Sequence, residues 1–163
     1  MKLEYRSGIG YDIHRLVEGR RLFLCGLEVP YEKGLLGHSD GDAALHALCD
    51  ALLGACALGD IGEFFPDSDP AYKDASSSLL LEKVRLAVSR KGFSVVNVDI
   101  VIIAQEPALR AYKSGMREKL AAILGISPDA VGVKAKTAEG LGEIGRKEAV
   151  AAYAAATVRR REA

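Results

Sequence analysis

Neither sign of charge is in excess in this sequence: Lys and Arg number 22, Asp and Glu number 22, and the formal net charge is 0. A neutral chain lacks the basic excess that holds nucleic-acid phosphates or an anionic lipid surface, so neither a nucleic-acid nor a membrane partner is expected. Also missing is any apolar run near the roughly 18 residues of a membrane span. The segment Met1 to Asp12 carries Lys2, Glu4 and Arg6 and has no stretch apolar enough for a secretory signal. Cysteine is scarce. Cys25, Cys49 and Cys56 are odd in number and form no C-x-x-C pair, which excludes a disulfide scaffold and points to reduced thiols in the cytoplasm. No internal repeat or linker-like stretch divides the chain, so residues 1–163 read as one domain. At that length, roughly two-thirds of the unfolded surface can be buried.

The charge that is present is unevenly placed. Between His38 and Asp74 stand Asp40, Asp42, Asp50, Asp60, Glu63, Asp67, Asp69 and Asp74, opposed only by Lys73. These acids are interleaved with Gly, Phe and Pro rather than arrayed on one helical face. Phosphate groups approach such a segment only with metal ions or basic groups between. Arg159, Arg160 and Arg161 read as an exposed basic tail.

Patterning predicts a strand over Tyr5–His14 and a hairpin over Arg20–Val29 turning at Cys25-Gly26. Ser39 is the expected N-cap of a helix whose apolar positions are Ala43, Ala44, Ala47, Leu48, Ala51 and Leu52. Gly59–Pro70 reads as a loop, Ser76–Lys91 and Leu109–Leu124 as helices, and Val95–Ala104 and Val131–Lys136 as strands. The segment Glu148–Val158 is ambiguous. Its alanines favour helix, whereas the alternation Val150, Ala152, Ala154, Ala156, Val158 suits a strand.

Three groups of residues carry chemistry. Asp12 and His14 are two apart on a strand, so their side chains share one face with a spacing of about 7 Å. His46 sits among Ala43, Ala44, Leu45, Ala47 and Leu48, where an imidazole needs a partner. Together they form a His₂-carboxylate set that leaves one tetrahedral position of a zinc ion open, the pattern of a catalytic site. Taken singly, the same residues also fit a surface Asp-x-His and a buried histidine bonded to a carbonyl. Asp50, one turn past His46, is placed to orient its other ring nitrogen. Thr137, Glu139 and Arg146 suit a metal-bound diphosphate, and equally a β-turn with ordinary surface charges. The run Gly140-Leu141-Gly142-Glu143-Ile144-Gly145 fits G-x-G-x-x-G, but too few residues follow it for the second half of a dinucleotide site.

Three stretches then resemble one family. They are Gly10-Tyr11-Asp12-Ile13-His14, the run from Pro30 to Asp42 with His38-Ser39-Asp40-Gly41-Asp42, and Gly59-Asp60-Ile61-Gly62-Glu63-Phe64-Phe65-Pro66-Asp67. The sequence resembles the 2-C-methyl-D-erythritol 2,4-cyclodiphosphate synthases over nearly its whole length. The resemblance implies an α+β fold, a two-layer sandwich of a mixed β-sheet with helices on one face, and a homotrimer with strands around its three-fold axis. On that basis Glu148–Val158 is expected to be a strand. It implies a cytoplasmic enzyme of the non-mevalonate isoprenoid pathway that releases CMP from a cytidine diphosphate-linked substrate.

Zn²⁺ is then expected on Asp12, His14 and His46, and Mg²⁺ or Mn²⁺ on Glu139 with bound substrate. His38 and Thr137 match the transition-state stabilisers. Ser39 and the stretch Asp60, Ile61, Gly62, Phe65, Pro66, Asp67, Ser68 and Asp69 would meet sugar hydroxyls and cover the site. Ala104, Gln105, Glu106, Pro107, Ala108, Leu109, Arg110, Ala135 and Lys136 would hold cytidine. Ala138, Glu143 and Arg146 complete the implied substrate contacts. Ala108, Lys136 and Glu143 depart from residues common at those places in the family. A zinc-dependent phosphoesterase, with water as nucleophile, is the alternative that the same metal set allows.

Overall fold

Two glycines decide how the molecule is layered. A Cβ on Gly8 would lie 2.0 Å from the Ala51 carbonyl oxygen, and one on Gly10 would lie 1.9 Å from that of Ala47. A helix can therefore rest almost backbone to backbone on the first strand. The computed structural model describes residues 3–66 and 68–161, the side chain of Arg161 excepted. That first strand is β1, Leu3–Glu18, and the helix is α1, Ala43–Ala55.

Between them lie β2 (Leu22–Leu24), β3 (Leu27–Val29) and β4 (Lys33–Leu35). After α1 come the helical turn α2 (Ile61–Phe64), α3 (Ser77–Arg90), β5 (Ser94–Ile103), α4 (Lys113–Leu124), β6 (Val131–Lys136), the turn α5 (Gly142–Gly145) and β7 (Ala149–Arg161). The sheet order is β4-β1-β7-β5-β6, and β2 with β3 form a separate hairpin. Among the described residues only β5 and β6 run parallel, and α4 supplies the crossover that such a pair requires.

The segment of ambiguous propensity is a strand. β7 pairs with β1 on one side and with β5 on the other, so a ladder on both edges outweighs the helical preference of alanine, which is a fraction of a kcal/mol per residue. Ala152, Ala154 and Ala156 are buried beneath the helices, where larger side chains would push α1 away. The three arginines do not form a tail. They belong to β7, with Leu3 opposite Arg161, and the Arg160 guanidinium donates to Glu4 and stacks on Phe93.

Two smaller expectations also change. Asp42, not Ser39, caps α1, its carboxylate accepting from Leu45 N at 3.0 Å. The Gly59–Pro70 loop contains α2, capped by Asp60 Oδ1 at 2.9 Å from Glu63 N.

Helices cover one sheet face and build the core there, with Leu48, Leu52, Leu81, Val84, Ile100, Ile102, Met116 and Leu120 buried. The opposite face carries Tyr5, Ile9, Tyr11 and Ile13 of β1 and Tyr153 of β7. Ile9 is 84% exposed, and the Tyr11 and Tyr153 rings meet at 4.8 Å.

Candidate metal centre and substrate site

Strand alternation turns Asp12 and His14 toward the helices, and the close contact at Gly10 brings His46 of α1 down onto them. Asp12 Oδ2 lies 2.8 Å from His14 Nε2 and 3.0 Å from His46 Nδ1, and the two nitrogens are 3.1 Å apart. Among the described residues this is the cluster of His, Cys, Asp and Glu that can hold a metal ion. A tetrahedral ion with bonds of 2.0–2.1 Å needs donors about 3.3 Å apart, so the triangle has the right size.

The hydrogen bonding also fits. His14 Nδ1 lies 2.6 Å from the Leu36 carbonyl, which can only accept, so Nδ1 carries the proton and Nε2 offers its lone pair. His46 Nε2 faces Ser77 Oγ at 2.9 Å and Ser39 Oγ at 3.0 Å. In the metal-free protein, where the rings can turn an N–H toward Asp12, burial raises its carboxyl, but the hydrogen bonds from His14 and His46 and then their charges outweigh it and hold its pKa at about 2. For His14, burial lowers the pKa, and the hydrogen bond and charge of Asp12 more than compensate, raising it.

Asp50 does not orient His46. Its Oδ1 accepts the Ile61 amide at 2.7 Å, tying the start of α2 to α1. Burial raises its pKa. Ser39 is only 6% exposed and its hydroxyl lies within the hydrogen-bond set around His46.

A cavity of about 220 Å³ opens beside the cluster, lined by His14, His38, Ser39 and His46 together with Ile61, Gly62 and Phe65. His38 is exposed there. Pro66 and Ser68 are exposed on the loop, Asp69 caps the turn at Pro70–Tyr72, and Asp67 lies outside the described residues.

A second cavity, of about 420 Å³, is lined by Ala104, Gln105, Glu106, Pro107, Ala108, Leu109, Arg110, Lys113, Ala135, Lys136 and Thr137. This gathers the whole stretch expected to take a nucleoside. Thr137 Oγ1 lies 3.2 Å from Glu139 Oε1, and Glu139 stands exposed at φ 52° next to Ala138. The Thr137–Lys147 loop is bound to the Ala104–Arg110 loop twice, by Gly140 N to Gln105 Oε1 at 3.1 Å and by Lys147 Nζ to Glu106 Oε1 at 2.7 Å. Arg146 pairs with Glu148 at 3.1 Å, and Glu143 is exposed at the start of α5.

The two cavities share no lining residue. Register places Ile13, Ala151, Ile103 and Lys136 in one row across the sheet, so both open at the same end. Three strand spacings, about 14 Å, separate β1 from β6. A further cavity, of about 730 Å³ between Leu3, Phe93 and Arg160, lies at the other end, away from the metal cluster.

Fold and cluster together define a class: an α+β protein with a carboxylate and two imidazoles able to hold an ion beside a cleft. Residues 5–159 match the model of the YgbB family, and the chain belongs to that family. It is 56% identical over 149 residues to the 2-C-methyl-D-erythritol 2,4-cyclodiphosphate synthase of Syntrophomonas wolfei, covering 91% of this chain and 95% of that one. A solved 2C-methyl-D-erythritol-2,4-cyclodiphosphate synthase in its CDP-bound form superposes with a TM-score of 0.86 at 40% identity, covering 93% and 98% of the two chains. The bifunctional IspDF from Campylobacter jejuni superposes with a TM-score of 0.94 at 40% identity, covering 99% of this chain and 44% of that longer one.

Proposed function

We propose that this chain is a cyclodiphosphate synthase: it converts 4-diphosphocytidyl-2-C-methyl-D-erythritol 2-phosphate to 2-C-methyl-D-erythritol 2,4-cyclodiphosphate and CMP, in the cytoplasm. The observation that carries the proposal is the Asp12–His14–His46 triangle opening onto a cleft, in a chain of this family. In the reaction an oxygen of the 2-phosphate forms a bond to the β-phosphorus, and the bond from that phosphorus to the CMP oxygen breaks. Zn²⁺ on Asp12, His14 and His46, with Mg²⁺ or Mn²⁺ on Glu139, would supply the Lewis acidity that lets two anions meet.

The protein's own groups do the rest. His38 and Thr137 donate hydrogen bonds to oxygens whose charge grows during transfer. The Ala104–Arg110 loop, Ala135 and Lys136 hold the cytidine. The stretch from Asp60 to Asp69, with Phe65 and Pro66, closes over the methylerythritol, and Ser39, which lines the same cavity, meets a sugar hydroxyl. Ala138, Glu143 and Arg146 flank the diphosphate. We take residues 1–163 as one domain and the working form as a homotrimer. The apolar sheet face that none of the described elements covers supports that assembly. So does the separation of the two cavities, because a neighbouring subunit can bring one half of a site to the other.

The test is ³¹P NMR of the protein with its substrate. A cyclic diphosphate with equimolar CMP is expected, and neither should form with His46→Ala. Release of free methylerythritol phosphates would overturn the proposal in favour of a phosphoesterase.

A further inference from the structure

Of the three side chains around the metal position, only His46 comes from a helix, and nothing within α1 fixes the rotation of its ring or the nitrogen that carries its proton. The constraint arrives from α3. Ser77, the first residue of that helix, is 0% exposed. Its amide donates to Asp40 Oδ2 at 3.0 Å, and its hydroxyl donates to Asp40 Oδ1. With that proton directed to a carboxylate, Ser77 Oγ is an acceptor toward His46 Nε2 at 2.9 Å. His46 Nε2 is then the protonated nitrogen, and Nδ1, the atom that faces Asp12 and His14, keeps its lone pair.

Asp40 is itself held. Its amide donates to Ala75 O at 3.2 Å, and its Oδ1 accepts from Asp42 N at 3.1 Å. Ser39 Oγ also reaches His46 Nε2, at 3.0 Å, but no carboxylate fixes the direction of its proton.

We propose that Ser77 is a positioning residue for the metal ion: the chain Asp40–Ser77–His46 sets the tautomer and ring orientation of the one helical ligand. The proposal rests on the metal reading above. It goes further in assigning to Asp40 and Ser77 a function in metal affinity, carried by hydrogen bonds that reach the ion only through an imidazole. Partners of this kind change metal affinity by about 10- to 100-fold. Because α3 follows directly on the Gly59–Ala75 loop, the same bond links the segment over the cleft to the ligand beneath it.

The experiment is zinc affinity of the full chain, measured by competition with a chromophoric chelator, for the parent, Ser77→Ala and Ser77→Thr. Thermal unfolding of each metal-free protein is recorded alongside. Ser77→Ala is expected to bind zinc about ten-fold more weakly, with Ser77→Thr, which keeps the hydroxyl, recovering most of the loss. A Ser77→Ala protein that folds and binds zinc like the parent overturns the proposal. If Ser77→Ala does not fold, Asp40→Asn decides: weakened zinc binding upholds the chain of bonds, and parental affinity overturns it. Failure of the parent itself to bind zinc would instead strike the metal reading.

Discussion

At the scale of single residues, the most constrained acid outside the metal cluster is Asp42. Its Oδ1 accepts from Cys25 N at 3.1 Å and Leu45 N at 3.0 Å, and its Oδ2 from Gly26 N at 2.7 Å, so one carboxylate ties the hairpin turn to the start of α1. Burial is complete and raises its pKa to about 6, the bond from Gly26 opposing and the charge of Asp40 adding to the rise. The folded value exceeds the unfolded value of about 3.9, so between those pH values the folded state binds more protons. Its contribution to stability therefore grows as pH falls through 6 and is lost as pH rises through it. Asp42→Asn removes the titration and one acceptor. Urea unfolding at pH 7 and pH 4.5 should show the gap between parent and variant widening at the lower pH, and a narrowing gap would contradict the raised pKa.

What the sequence discloses at this scale follows from local geometry. Alternation on a strand places Asp12 and His14 on one face, and helical spacing marks His46 as a lone polar group on an apolar surface. The partners that fix their tautomers are the Leu36 carbonyl and Ser77, distant in sequence from the imidazoles they bond, with Asp40 acting through Ser77 and no periodicity to announce any of them. Asp50 shows the limit of spacing arguments: one turn from His46, it still bends away to the Ile61 amide.

At the scale of elements, the seat of α1 on β1 controls the position of His46. A Cβ at Gly10 would meet the Ala47 carbonyl, a backbone atom with no side-chain freedom to yield, so Gly10→Ala must lift the helix. A loss of stability of about 1–3 kcal/mol is expected. Zinc affinity should fall with it, because His46 follows Leu45 on the displaced turn. Denaturant unfolding and chelator competition on one preparation check both; unchanged zinc affinity in a destabilised variant would separate the seat from the site.

The sequence hints at this seat through Gly8, Gly10 and the alanines of β7, but small residues also suit a helix, and propensity alone does not choose. Sheet pairing on both edges makes β7 a strand, a non-local term that no window along the chain contains. Arg160 is legible only as charge until Glu4 and Phe93 are brought beside it.

At the scale of the whole molecule, two cavities sharing no residue lie at one end of a sheet whose other face is uncovered. In the proposed trimer each site joins the metal half of one subunit to the nucleoside half of its neighbour. His46→Ala and Thr137→Ala, each inactive alone, should then complement each other. Random mixing through unfolding and refolding at equal amounts makes about three-quarters of trimers hybrid, each with one intact site of three, so about a quarter of parental turnover should return. No recovery in hybrids whose trimeric mass is verified would place both halves within one subunit.

The bare sheet face bears on how the protein behaves when it is scarce. Ile9, Tyr11, Ile13 and Tyr153 meet water unless another copy shields them, so in the proposed trimer association and competence would be one equilibrium. Specific rate should then fall as protein concentration falls, so that total rate drops more steeply than linearly on dilution once copies begin to part.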